Sequence, residues 1–256
     1  MNKPVVMIGL GEMGGVFARG FLRSAYPVYP VTRVMDITAV SNQIADPELV
    51  VVAVAENDLH AMLETIPSHW RDRLLLLQNE LLPHDWNSHG LKNPTVISVW
   101  FEKKKGQDAR VIIPSPVFGP KATLVRDALA SIDISCSCLA SQDELLFELV
   151  VKNLYILTSN IAGLETGGTV GELWRNHREV AEAVVRDVIQ LQQALTGEIF
   201  DQDELVAAML RAFDGDPDHK CMGRSAPARL ARALQLAQEK QIAVPTLQRI
   251  AEMTKD

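Results

Sequence analysis

The ten residues Val5-Val6-Met7-Ile8-Gly9-Leu10-Gly11-Glu12-Met13-Gly14 constrain this chain more than any other stretch. A short apolar run of β-formers enters a GxGxxG turn, and a helical pattern at Val16, Phe17, Phe21 and Leu22 leaves it. The three glycines differ in what they permit. Gly9 allows the tight turn, Gly11 leaves room for an anion against the backbone, and Gly14 lets helix and strand pack closely. The helix N-terminus then faces the anion. A dinucleotide phosphate is the expected tenant, lying against Gly9, Leu10, Gly11, Glu12, Met13 and Gly14. A glycine-rich turn with no ligand is the alternative.

A chain of 256 residues suits one or two domains around a large core. Its formal net charge of -7 argues against broad nucleic-acid binding, since no basic excess is present to neutralise phosphates. Cys136, Cys138 and Cys221 form no CxxC pair and read as packing residues in a reducing cytoplasm. The N-terminal apolar run is committed to the glycine turn and is too short for a signal peptide, and no apolar run is expected to span a membrane.

The first helix should end near Ser24, and Pro27 to Arg33 reads as a short, irregular second strand because proline gives the ladder no donor. Thr32 and Arg33 at its end, and Asp36 a little later, stand where an adenosine ribose is normally met. Arginine suits a 2′-phosphate and a carboxylate suits a free hydroxyl, so Arg33 points to NADP in preference to NAD, with a solvated loop arginine as the alternative. Leu49 to Val54 is a buried parallel strand, Asp58 to Ile66 a helix, and Leu74 to Asn79 a further strand ending in two amides. Ligands of open α/β sheets sit beyond the carboxyl ends of strands, so Asn79 is either a contact for a nicotinamide or substrate amide, or a turn residue.

Thr95 to Phe101 and Ala109 to Ile113 flank a charged turn that contains Lys103, Lys104 and Lys105, and together they read as a hairpin with a solvated tip. A helix over 121–132 and a strand over 134–139 complete the sheet. The expected fold class is therefore α/β, with a Rossmann-type dinucleotide-binding domain over 1–140 and an all-helical domain over 141–256. From Ser141 the period turns helical, with an apolar stripe from Leu145 to Leu164, and further helices over 173–195, 202–213, 227–240 and 245–253. Lys152 and Asn160 share a side of the first of these, about 12 Å apart along the axis. Lys152 either loses charge by burial or snorkels to solvent. Ser225 could cap the helix that carries Pro227 in its first turn. Asp214 to His219 reads as a polar turn, and no metal site is expected.

The layout resembles the ketopantoate reductase family, close to the 6-phosphogluconate and 3-hydroxyisobutyrate dehydrogenases, over nearly the whole chain. The likeness lies in the Gly9 to Gly14 turn, Arg33 after the second strand, the strand ending at Gln78-Asn79, and Val111-Ile112-Ile113 leading to Phe118-Gly119-Pro120. It continues in the helix from Lys152-Asn153 through Asn160 to Leu164, in Gly171-Glu172-Leu173, and in the junction from Gln241 to Thr246.

This resemblance implies NADPH-dependent reduction of a 2-oxo acid or related carbonyl. Lys152 would be the proton donor, Asn79 would lie near nicotinamide and substrate, and Asn160 and Ser225 would contact substrate. A lysine of lowered pKa suits a general acid, and its cation stabilises growing oxyanion charge. A small carbonyl acid is the implied partner, and the helices after Leu173 could serve a homodimer. Two departures stand out. Glu56 occupies the place of a family lysine, and the stretch from Lys220 to Ala228 lacks the family's carboxylates. The second removes an acceptor for the hydroxyl of ketopantoate, worth about 1.5–3 kcal/mol if that bond is charge-assisted. Arg224 could instead meet a substrate carboxylate, or lie on the surface. A nucleotide-binding regulatory protein that has lost catalysis, and a hydroxyacid dehydrogenase of the 3-hydroxyisobutyrate type, are the competing readings.

Overall fold

The computed structural model describes residues 2–254, which divide into a unit that ends at Glu148 and a unit that begins at Leu149. The division falls eight residues beyond the expected boundary at Ala140, inside a helix and not ahead of it.

The first unit contains a seven-stranded sheet among the described residues, in the order β2-β1-β3-β4-β5-β8-β9. β1 (Val5–Ile8), β2 (Val28–Val31), β3 (Leu49–Val52), β4 (Leu74–Leu76) and β5 (Thr95–Ile97) run parallel. β8 (Ser115–Phe118) pairs antiparallel with β5 and parallel with β9 (Cys136–Cys138). Every residue of β1, β3 and β4 is buried, as expected for parallel strands covered on both faces. β2, which carries Pro30, takes the edge, where a missing ladder donor is tolerated.

α1 (Glu12–Arg23) ends at Ser24 as expected and buries Val16, Phe17, Gly20 and Phe21. It packs against α5 (Ala122–Ala130) so closely that a Cβ at Gly20 would lie 2.6 Å from the carbonyl oxygen of Ala128. These helices cover one face of the sheet with Val5, Met7, Leu49 and Val51 in a common core.

Several expectations are corrected in this unit. α2 (Ile37–Gln43) and α4 (Pro83–Asn87) were not anticipated, because each is too short to show a periodic apolar stripe. Thr95 to Phe101 is not one strand: β5 joins the main sheet, and β6 (Phe101–Glu102) pairs with β7 (Arg110–Val111) in a separate ribbon. β8 was also missed, since Pro116 argues against an interior strand, yet the Pro116 carbonyl accepts from the Ser98 amide at 2.9 Å. Cys138 is exposed and not a packing residue; Cys136 is half-buried and Cys221 buried.

The boundary helix is α6 (Gln142–Thr166). It is long and apolar enough to cross a membrane by length and composition, contrary to the sequence expectation, but 78% of its apolar window is buried inside the protein. The span expected as one helix over 173–195 is two, α7 (Val170–Asn176) and α8 (Arg178–Thr196), because a capping box of Thr169 and Glu172 starts the first and His177 separates it from the second. α9 (Gln202–Gly215), α10 (Ala226–Glu239) and α11 (Pro245–Met253) follow. α8 packs against α7, α10 and α11. The buried Asp187 of α8 accepts the Thr246 and Leu247 amides at 2.7 and 3.1 Å, so a residue distant in sequence caps α11. Asn153 and Gln192, both buried, tie α6 to α8 through a 3.0 Å bond between their amides.

Candidate functional site

The sheet order reverses at β1, which has β2 on one side and β3 on the other, and the turn that leaves β1 lies at this switch point. Gly9 has φ +90°, and a Cβ there would lie 2.5 Å from the Ala53 carbonyl oxygen. A Cβ at Gly14 would collide with the Gly9 carbonyl oxygen. Both positions are closed to larger residues by backbone, one at the turn and one at the strand–helix contact. Gly11 differs: it is the N-cap of α1, and among the described residues a Cβ there would meet no heavy atom within 4 Å. The space above Gly11 and the first-turn amides of α1 suit an anion, so the turn fits the pyrophosphate of a dinucleotide.

The other turn residues sort differently. Leu10 is exposed and Met13 packs into the core behind the turn. Glu12 opens α1, where its carboxylate would repel a phosphate, but Lys103 Nζ lies 3.1 Å from its Oε2. Lys103 is thus not part of a solvated tip. It directly follows β6, in the connection to β7, and neutralises the acid beside the glycine turn.

Beyond β4, Gln78 is buried and its side-chain amide donates to the carbonyls of Val52 and Val54 at 2.7 and 3.2 Å. It holds the carboxyl end of β3 in place. Asn79 donates to Glu56 Oε1 at 3.1 Å, so the amide and the acid form one pair. Arg33 is 93% exposed, with its guanidinium 3.4 Å from Asp58. Asp36, the alternative contact for a ribose, caps α2 by accepting the Thr38 amide at 2.8 Å.

In the second unit Lys152 is half-buried on α6, with its ammonium 5.5 Å from the centre of the Tyr155 ring. Burial, and secondarily the guanidinium of Arg229, lowers its pKa to about 7. Asn160 is 9% exposed; its Nδ2 donates to Ser159 Oγ at 3.3 Å and its Oδ1 accepts from Arg229 Nη1 at 2.9 Å. Asn160 and Arg229 are therefore bonded to each other, and the charge of Arg229 is felt at Lys152. Ser225 is exposed at the N-cap of α10 and, among the described residues, its side chain makes no capping bond, so that expectation fails in its hydrogen bond though not in its position. Arg224 is exposed as well. Asp216, expected in a polar turn, is buried, with His219 Nδ1 3.7 Å from its carboxylate.

Sequence reasoning missed Arg229 and the role of Lys103. The signal for Arg229 was its place four residues after Ser225, in the opening of a helix without a first-turn acid. Lys103 carried no such signal, because its partner lies 91 residues earlier.

No family model matches the sequence, and no curated protein matches it either. Solved structures do. The 2-dehydropantoate 2-reductase from Methylococcus capsulatus superposes with a TM-score of 0.72 over 98% of this chain and 96% of its own, at 11% identity. The fold is that of the ketopantoate reductases. A dimeric ketopantoate reductase from Staphylococcus aureus matches with a TM-score of 0.67 at 18% identity, over 98% of this chain and 97% of its own. D-mandelate dehydrogenase in complex with NADH matches with a TM-score of 0.66 at 12% identity, over 97% of this chain and 96% of that one. The ketopantoate reductase fold thus extends over nearly the whole chain, with an α/β first unit and a helical second unit.

Proposed function

We propose that the protein is an NADP-dependent oxidoreductase that reduces a small 2-oxo acid or related carbonyl compound, with Lys152 as general acid. The observation that carries this reading is Lys152 itself: a half-buried lysine of lowered pKa, on a chain with the ketopantoate reductase fold. A pKa of about 7 leaves enough ammonium near neutral pH to donate a proton to a nascent alkoxide and makes it a better acid than an ordinary lysine. A reduced nicotinamide, when bound, supplies the hydride for the carbonyl carbon. Gly9, Gly11 and Gly14 shape the turn for its pyrophosphate, Arg33 reads the 2′-phosphate, and Asn79 orients the nicotinamide. Asn160 and Ser225 contact substrate by hydrogen bonds. The deprotonated lysine serves the reverse oxidation. The dimeric Staphylococcus aureus neighbour supports a homodimer, and we assign the protein to the cytoplasm.

A second reading, a nucleotide-binding protein without catalysis, draws on the pair of Asn79 and Glu56, which places an acid where the family resemblance implies a lysine. Fluorescence titrations with NADPH and NADH, followed by a 2-oxo acid panel, test both. The oxidoreductase reading expects preferential NADPH binding and NADPH consumption with at least one compound. Failure of both nucleotides to bind at millimolar concentration would overturn it; binding without turnover of any compound would leave the second reading.

A further inference from the structure

Lys103 reaches the glycine turn from outside it. β6 carries Phe101, which is 4% exposed and sets its ring 6.1 Å from that of Phe17 on α1. Two residues further on, Lys103 extends to Glu12, the first residue of the same helix, with Nζ 3.1 Å from Oε2. The two spacings agree. Glu12 and Phe17 are five residues apart on a helix, about 7.5 Å of axis, while Phe101 and Lys103 are two apart on extended chain, about 6.6 Å. Alternate residues of an extended chain point the same way, so the segment that buries Phe101 against α1 also aims Lys103 at the start of that helix.

The ammonium is held without being saturated. One contact goes to Glu12, and the carbonyl oxygen of Lys104 accepts a second hydrogen bond at 2.8 Å. An ammonium has three donors, and the third meets no acceptor among the described residues. The Lys103 side chain is 20% exposed and that of Glu12 is 47% exposed. A pair so open to solvent adds little to stability, so the fold alone does not account for a lysine brought to this carboxylate across 91 residues. Glu12 directly follows Gly11, the position where space for an anion is open.

We infer that Lys103 is a further coenzyme-binding residue: its ammonium contacts the pyrophosphate of the dinucleotide, and Glu12 holds it beside the turn until the coenzyme arrives. This rests on the reading of the glycine turn as a dinucleotide site. A lysine already positioned by an acid loses less side-chain freedom when the phosphate binds. The phosphate oxygens then share the cation with Glu12 or replace it, through rotation of the last bonds of the lysine. The pyrophosphate is common to NADPH and NADH, so Lys103 sets the affinity for both and does not discriminate between them, in contrast to Arg33.

Isothermal titrations with NADPH, NADH and inorganic pyrophosphate test this on the wild type, Lys103→Gln, Glu12→Gln and the double variant. A lysine that only neutralised Glu12 would lose its effect once Glu12 is gone. The inference expects the opposite. In the Glu12→Gln background, Lys103→Gln should weaken NADPH and NADH about tenfold each, the scale of one charge-assisted contact, and leave their ratio unchanged. Lys103→Arg should retain most of the affinity, and Lys105→Gln, in the exposed part of the same connection, should retain all of it. Equal affinities of Glu12→Gln and the double variant overturn the inference and leave the reductase reading standing. Equal losses from Lys103→Gln and Lys105→Gln overturn it as well, because they report the general field of the surface. Lys103-dependent binding of pyrophosphate with neither nucleotide bound supports the phosphate contact and overturns the reductase reading; binding of none of the three overturns both.

Discussion

Asn79 donates a 3.1 Å hydrogen bond to Glu56, joining the segments that follow β4 and β3. An asparagine at the carboxyl end of a parallel strand is well placed for a ligand amide, and here it faces a carboxylate whose charge opposes an anionic cofactor.

Neutralising that carboxylate should strengthen nucleotide binding. Glu56→Gln keeps an acceptor for Asn79 while it removes a negative charge, so NADPH affinity should rise roughly three- to tenfold, the scale of a partly screened charge. A fluorescence titration reads this directly. Unchanged or weaker binding would remove Glu56 from the cofactor's surroundings.

The three glycines of the turn should separate when each is replaced by alanine. Gly14→Ala sets a Cβ against the Gly9 carbonyl, and Gly9→Ala forces alanine to φ +90° against Ala53; each should cost about 2 kcal/mol or more in urea unfolding. Gly11→Ala has open space and φ -66°, and should stay within about 1 kcal/mol of the parent while it weakens NADPH binding. Equal loss of stability in all three would contradict this difference between them.

Arg33 should matter to the cofactor and not to the fold. It is 93% exposed and its contact with Asp58 is long, so Arg33→Ala should leave the melting temperature within about 1 °C. Its NADPH affinity should fall about tenfold, a typical worth for one charge-assisted phosphate contact, while NADH affinity should hardly move. An unchanged NADPH-to-NADH ratio would dismiss Arg33 as the phosphate reader.

Lys152 links pH, stability and turnover. Its folded pKa of about 7 lies below the unfolded value of about 10.4, so the folded state disfavours the proton. The resulting destabilisation is complete below about pH 7 and disappears as pH rises toward about 10.4. Lys152→Met should therefore gain about 2–5 kcal/mol at pH 6 relative to the parent, with the gap closing by pH 10, and should lose turnover. In the parent, kcat/KM for reduction should fall above about pH 7 as the ammonium is lost, and Arg229→Gln should move that limb upward by removing the like charge. A flat profile from pH 6 to pH 9 would exclude Lys152 as the acid.

Asp187 is a stability device remote from the chemistry. Asp187→Ala removes the acceptor of two amides at the start of α11 and should cost about 2–4 kcal/mol in chemical denaturation. Asp187→Asn keeps one acceptor and should lose less.

Legibility in the sequence followed the range of the interaction. The strand, glycine turn and first helix lie within 5–23, and they were readable because β-formers, turn glycines and helical period are local properties. The apolar stripe of α6 was readable for the same reason, and so was the presence of a lysine within it. The short helices α2 and α4 were not readable, since their stability comes from packing and caps and not from a repeated pattern. β8 was hidden by Pro116, whose cost is offset by neighbours on both sides of the strand.

By itself the sequence determined the α/β character of the first unit, the glycine geometry that suits a phosphate, and the lysine that suits an acid. The tertiary structure decided which charges face each other. Glu12 meets Lys103 across 91 residues, Asn160 meets Arg229 across 69, and Asp187 reaches the start of α11 across 59. No local preference encodes such pairs: a charged side chain finds its partner only after backbone segments distant in sequence have packed, and burial then determines what the pairing does. That is why Lys152 could be named as a candidate from its helix alone, while its lowered pKa and the arginine beside it emerged only from the fold.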